Sequence, residues 1–193
     1  LHTAKHRRMG GIVGDDNTNT LLFESSRSAL FNCLMSQNIG EGDEVIISSF
    51  TCDAVTYAVM RTGATVIYSD INDDLTMKTK SVLRAITKNT KAVVIQNTLG
   101  RIGLDISTMN LIKKTNILLI EDCALSYGSM LDGIKLGAYG DFSFFSLEVS
   151  KTLTIGWGGV LSINNFRYKT DMLKRYASVG SVSLIPDTRR FLQ

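Results

Sequence analysis

Short apolar runs alternate with amphipathic stretches along most of the chain. Val45-Ile46-Ile47, Val66-Ile67-Tyr68, Val93-Val94-Ile95, Ile117 to Ile120, Phe142 to Phe145 and Val160-Leu161 are β-branched or aromatic and do not alternate cleanly with polar residues. That pattern predicts strands covered on both faces. Between them, apolar residues recur at helical spacing: Ala29, Leu30, Cys33 and Leu34; Ala54, Val55, Ala58 and Val59; Val82, Leu83 and Ile86; Tyr168, Met172, Leu173 and Tyr176. Alternating strand and helix predicts an α/β fold with a mostly parallel sheet of six or seven strands and helices on both faces. Leu131-Asp132-Gly133-Ile134 interrupts the rhythm. Asp-Gly between apolar residues predicts a small antiparallel hairpin there.

Composition narrows the class. Of 193 residues, 44% are hydrophobic and 20% charged, which is globular rather than disordered. The net charge of +3 is too mild to argue for a nucleic-acid partner. No apolar run approaches the ~20 residues that a bilayer span needs. Three distant cysteines, Cys33, Cys52 and Cys123, form no CxxC pair, so a disulfide framework or zinc site is not expected and a reducing compartment is. The basic start, Leu1 to Arg8, is not followed by an apolar run and reads as no signal peptide. Residues 1–20 are polar and read as a loosely held lead-in.

In an open α/β sheet, ligands collect beyond the carboxyl ends of the strands, and three places there carry candidate chemistry. Glu121-Asp122 follows the run Ile117 to Ile120. Asp122 there is either an N-cap or solvated loop acid, or a carboxylate that holds a cationic ring nitrogen. A metal role has little support, because the only histidines are His2 and His6. Phe142 to Lys151 leads into Gly156-Trp157-Gly158-Gly159. Lys151 is either a surface lysine or one held beside an apolar wall and prepared for a Schiff base. The glycines would let the backbone pass close to a flat cofactor. Ser25-Ser26-Arg27-Ser28 opens a helix, where small hydroxyl residues serve either as plain caps or as an anion site. No GKS/GKT loop and no GxGxxG is present, which removes the main support for ATP and NAD.

The order of these features, helix-start anion site, acid after a central strand, lysine after a later one, is that of a pyridoxal-phosphate enzyme of the aspartate-aminotransferase fold. Residues from about Leu21 to Arg175 resemble the DegT/DnrJ/EryC1/StrS aminotransferases. The stretches that carry the resemblance are Ser25 to Leu30, Gly40 to Thr51, Gly63 to Asp70, Thr87 to Ile95, Glu121 to Ala124, and Gly137 to Ser146 running on to Lys151 and Gly156 to Gly159.

The resemblance implies pyridoxal 5'-phosphate as cofactor, a nucleotide-linked keto sugar and an amino acid, glutamate, as substrates, and a cytoplasmic homodimer. It makes Lys151 the lysine that binds the cofactor covalently and Asp122 the partner of the pyridine nitrogen. Ser146, Ser26 and Arg27 become phosphate-binding positions. Residues 21–193 then correspond to the cofactor-binding large domain, without the family's smaller C-terminal domain. Leu125 stands where the family usually has Gln or His, Cys52 where an aromatic ring usually stacks, and Trp157 where GEGG has Glu. A truncated, non-catalytic relative that binds the cofactor weakly or serves as an interaction domain is the alternative expectation.

Overall fold

The computed structural model describes residues 19–179. Seven strands form one sheet: β1 (Asn19–Phe23), β2 (Glu44–Ser48), β3 (Thr65–Ser69), β4 (Thr90–Gln96), β5 (Leu118–Asp122), β8 (Phe142–Ser146) and β9 (Gly159–Ile163). β6 (Met130–Leu131) and β7 (Ile134–Lys135) make a separate hairpin. The sheet order is β1-β9-β8-β5-β4-β2-β3. β3, β2, β4, β5 and β8 run parallel, and β9 runs antiparallel to both of its neighbours, β8 and β1. The expected α/β fold and mostly parallel sheet are therefore present, and all six expected strands are in it.

The helices are α1 (Ser26–Ser36), α2 (Asp53–Met60), α3 (Thr79–Ala85), α4 (Ile106–Lys113) and α5 (Lys169–Ser178). One face of the sheet packs Val45, Ile47, Val94, Ile120, Phe142 and Phe144 against apolar residues of α1, α2 and α5, including Leu30, Val59 and Met172. The other face packs Ile46, Val93, Ile95 and Leu119 against Val82 of α3 and Met109 and Ile112 of α4. Each such fully buried side chain contributes about 1.5–3 kcal/mol through removal from water. No helix among the described residues is long and apolar enough to cross a membrane.

Several details differ from expectation. β1 takes in Asn19 and Thr20, which the pattern assigned to the lead-in; residues 1–18 lie outside the described residues. α4 was not foreseen. It starts at Asp105, whose side chain caps the N–H of Thr108. Leu83 is 43% exposed and Ile86 lies past the end of the seven-residue α3, so Val82 alone of that stripe is fully buried. Leu173 also faces outward at 39% exposure, while Met172 beside it is buried. The Asp132-Gly133 turn does form, with both residues at positive φ (50° and 78°), as a two-residue hairpin loop of this twist requires.

Candidate functional site

β5 ends in two carboxylates that point to opposite faces of the sheet, as successive strand residues must. Glu121 is fully buried and faces the α3/α4 side with Leu119. One of its oxygens accepts from the N–H groups of Tyr139 and Gly140, each at 2.7 Å, and the other from Asn97 Nδ2 at 2.8 Å and Gly137 N–H at 2.9 Å. Asn97 in turn accepts from the Gly103 N–H at 2.8 Å. Glu121 thus ties the loop leading into β8 to the end of β4.

Asp122 faces the other side, with Ile120 and Phe144. It is 6% exposed and lines a cleft of about 220 Å³ at the carboxyl ends of the parallel strands. Its Oδ1 accepts from the Ala124 N–H at 2.9 Å. Burial pushes its carboxyl up from the usual range to about 6, against the opposing pull of the Ala124 N–H and the Lys151 charge. No ion pair within 4 Å joins Asp122 to Lys151 among the described residues.

The register assembles the rest of the cleft. Asp122 pairs with Phe144 of β8, and two residues on Ser146 pairs with Gly159 of β9. Gly159 also pairs with Phe23 of β1, and the chain then turns at Ser25 into α1. A Cβ on Gly159 would lie 2.3 Å from Ser25 C and from Ser26 N, so only glycine lets the helix start lie against the sheet here. The close approach expected against a flat cofactor is, at Gly159, made against the protein's own backbone.

Ser25 is the cap, its hydroxyl accepting from the Ser28 N–H at 3.2 Å. The N–H groups of Ser26 and Arg27 donate to no protein atom among the described residues, and they lie at the positive end of an 11-residue helix. The Ser146 hydroxyl is likewise without a protein partner among the described residues. Lys151 sits in the segment joining β8 to β9, where its N–H donates to the Glu148 carbonyl at 3.0 Å.

Lys151, Asp122, Ser146, Ser26 and Arg27, drawn from positions 26 to 151, therefore all line one cleft. Cys52, Ala54 and Val55 at the start of α2 supply a wall, and Phe144 adds a further apolar surface. Cys52 is exposed there, whereas Cys33 and Cys123 are buried. Leu125 is 40% exposed and does not line the cleft, although Ala124 beside it does. Glu148 and Trp157 also line it. Glu148 was not singled out from the sequence; its signal was a carboxylate three residues before the lysine.

Comparison with known proteins agrees with this geometry. Residues 13–191 match the DegT/DnrJ/EryC1/StrS aminotransferase family. The chain is 37% identical over 138 residues to GDP-perosamine synthase of Escherichia coli O157:H7, covering 71% of this chain and 38% of that protein. It is 36% identical over 139 residues to the UDP-N-acetyl-3-dehydro-alpha-D-glucosamine 3-aminotransferase of Acidithiobacillus ferrooxidans, with the same coverage. The chain thus spans somewhat over a third of the length of these relatives. Among solved structures, Spr1654 from Streptococcus pneumoniae in its PLP-form superposes with a TM-score of 0.78 at 26% identity, covering 89% of this chain and 48% of that one. The sheet order, the cleft and the matched sequence together make this chain a member of the DegT/DnrJ/EryC1/StrS aminotransferase family.

Proposed function

We propose that this chain is the cofactor-binding part of a pyridoxal-phosphate-dependent aminotransferase that transfers an amino group from an amino acid, glutamate, to a keto sugar carried on a nucleotide. The observation that carries the reading is the convergence of Lys151 and the buried, under-supplied Asp122 on one cleft with the open amides of Ser26 and Arg27. The names of the relatives support the sugar and its nucleotide. The same reading makes the protein a cytoplasmic homodimer serving cell-surface polysaccharide or amino-sugar synthesis, with residues 21–193 as its large domain.

The residues present suit this cofactor. A buried carboxylate with a single N–H donor needs a further positive or donating partner to stay ionised, and a protonated ring nitrogen supplies one. Free amides at a helix start, with a serine hydroxyl on the neighbouring strand, suit a phosphate. Phe144, Ala54 and Val55 offer flat apolar surface to a ring.

When bound, pyridoxal phosphate supplies the electron sink that makes loss of an α-proton from the amino acid feasible. Asp122 holds the ring nitrogen in its cationic form. Ser26, Arg27 and Ser146 hold the phosphate and so fix the ring's orientation. Lys151 Nζ would be placed to take the α-proton from the donor in one half of the reaction and to return a proton to the sugar carbon in the other.

Borohydride reduction of the protein mixed with pyridoxal phosphate, followed by peptide mapping, tests the reading. The label is expected on Lys151 and lost in Lys151→Ala. A label that persists in the variant on another lysine overturns the assignment.

A further inference from the structure

We infer that Trp157 and Glu148 form the subsite for the hexose ring of the acceptor. The indole stacks on the C–H face of the sugar, and the carboxylate accepts hydrogen bonds from its hydroxyls. This rests on the reading of the cleft given above and names the part of it that holds the sugar.

Trp157 is the only tryptophan of the chain. It is 57% exposed and lines the cleft together with Glu148 and Lys151. Its exposure is built into the backbone. Gly156 and Gly158 on either side hold φ values of 92° and 140°, which side-chain-bearing residues rarely adopt. The turn is pinned to the end of β8. The Leu147 N–H donates to the Gly158 carbonyl at 2.9 Å, and the Ile155 N–H to the Leu147 carbonyl at 3.1 Å. The Thr154 hydroxyl donates to the Leu147 carbonyl at 3.0 Å and accepts from the Gly156 N–H at 2.9 Å. The indole N–H donates to no protein atom among the described residues. A large ring left in water along a largely apolar cleft gains by covering its face with a ligand.

Glu148 supplies the polar half. One of its oxygens accepts from the Ser150 hydroxyl at 3.1 Å, and the other has no protein donor among the described residues. The Lys151 N–H donates to the Glu148 carbonyl at 3.0 Å, so the acid and the reacting amine occupy two ends of one turn. The negative face of an aromatic ring suits polarised sugar C–H groups, and a carboxylate is an acceptor-only group suited to hydroxyls. The sugar, rather than the base, belongs here because its carbon is the one that must reach Lys151 Nζ. The nucleobase lies beyond two phosphates from that carbon.

Because the chain has a single tryptophan, its emission in the cofactor-free protein reports on Trp157 alone. The probes are UDP-N-acetylglucosamine, GDP-mannose and dTDP-glucose, with UDP, GDP and dTDP as their sugar-free counterparts. At least one nucleotide sugar is expected to change the emission saturably while its free nucleotide does not. By calorimetry, Trp157→Ala is expected to weaken that ligand about tenfold, Trp157→Phe to retain most of the affinity, and Glu148→Gln to weaken it less than Trp157→Ala. Free nucleotides that shift the emission as much as the nucleotide sugars would put the base at Trp157 and overturn the inference. Silence to all three probes, with the borohydride label still on Lys151, overturns the subsite and leaves the cofactor reading standing. Silence together with loss of that label removes the reading beneath it as well.

Discussion

Glu121 and Asp122 are neighbours on one strand, both carboxylates and both nearly out of water, yet their surroundings are opposite. Glu121 accepts from four N–H groups that belong to two different loops. Asp122 accepts from one, and its acidity is shifted by burial instead. A buried carboxylate with both oxygens fully supplied by donors, like Glu121, is scaffold. A buried carboxylate with a single donor among the described residues, like Asp122, is the one that the proposed function assigns to a ligand. Position at a strand end does not separate the two roles; the count of donors does.

Removing Glu121 tests the scaffold half and carries the largest expected effect. Glu121→Ala leaves the N–H groups of Gly137, Tyr139 and Gly140 and the Asn97 amide without their acceptor. The expected loss is about 3–5 kcal/mol of stability, read by denaturant unfolding. A loss under about 1 kcal/mol would show that water or a neighbouring group replaces the carboxylate.

Asp122→Asn tests the other half and moves stability in the opposite direction. Burial raises the Asp122 pKa from 3.8 to about 6, which makes it the weaker acid in the folded state, so its ionised form opposes folding above pH 6, by up to about 3 kcal/mol. This cost shrinks as pH falls from 6 towards 4 and is absent below. The cofactor-free variant should therefore be more stable than the parent at neutral pH and equal to it near pH 4, measured by thermal unfolding across that range. Its retention of pyridoxal phosphate should fall, since a charge-assisted bond of about 1.5–3 kcal/mol is lost. A variant less stable than its parent at neutral pH would mean that Asp122 is also scaffold.

The smallest effect is expected next to Glu121, at Ser143, its pairing partner on β8. The Ser143 hydroxyl is buried without a partner among the described residues, so Ser143→Ala should leave stability within about 1 kcal/mol of the parent or raise it. A larger loss would reveal a partner for the hydroxyl and widen the Glu121 network.

Much of the fold was legible because parallel strands covered on both faces must be continuously apolar, and Ile117 to Ile120 or Phe142 to Phe145 have no other plausible use. β1 was not, since its first residues are polar and its partner β9 lies some 140 positions away. α4 hid because Ser107, Thr108 and Asn110 dilute its apolar face, although Asp105 was a readable cap. The five candidate site residues came from resemblance to a family rather than from spacing, and the structure places all five along one cleft. Glu121 is visible in the sequence at the end of β5, but its role is not. Its role depends on amides from Gly137 to Gly140, which no local pattern links to the end of β5.

The pairing of β1 with β9 also bears on the order in which the protein is made. The helix start at Ser26 meets the strand that begins at Gly159 only when segments from nearly opposite ends of the described chain come together. Contacts so distant in sequence form late, because loop closure must precede the contacts that reward it. A chain emerging from the ribosome can pair β2 with β3 and β4 well before β9 exists, but the start of α1 has no strand to rest against until residues 159–163 have been added. The β1–β9 pairing is the last of the sheet to become possible, so the cleft is complete only once β9 is in place.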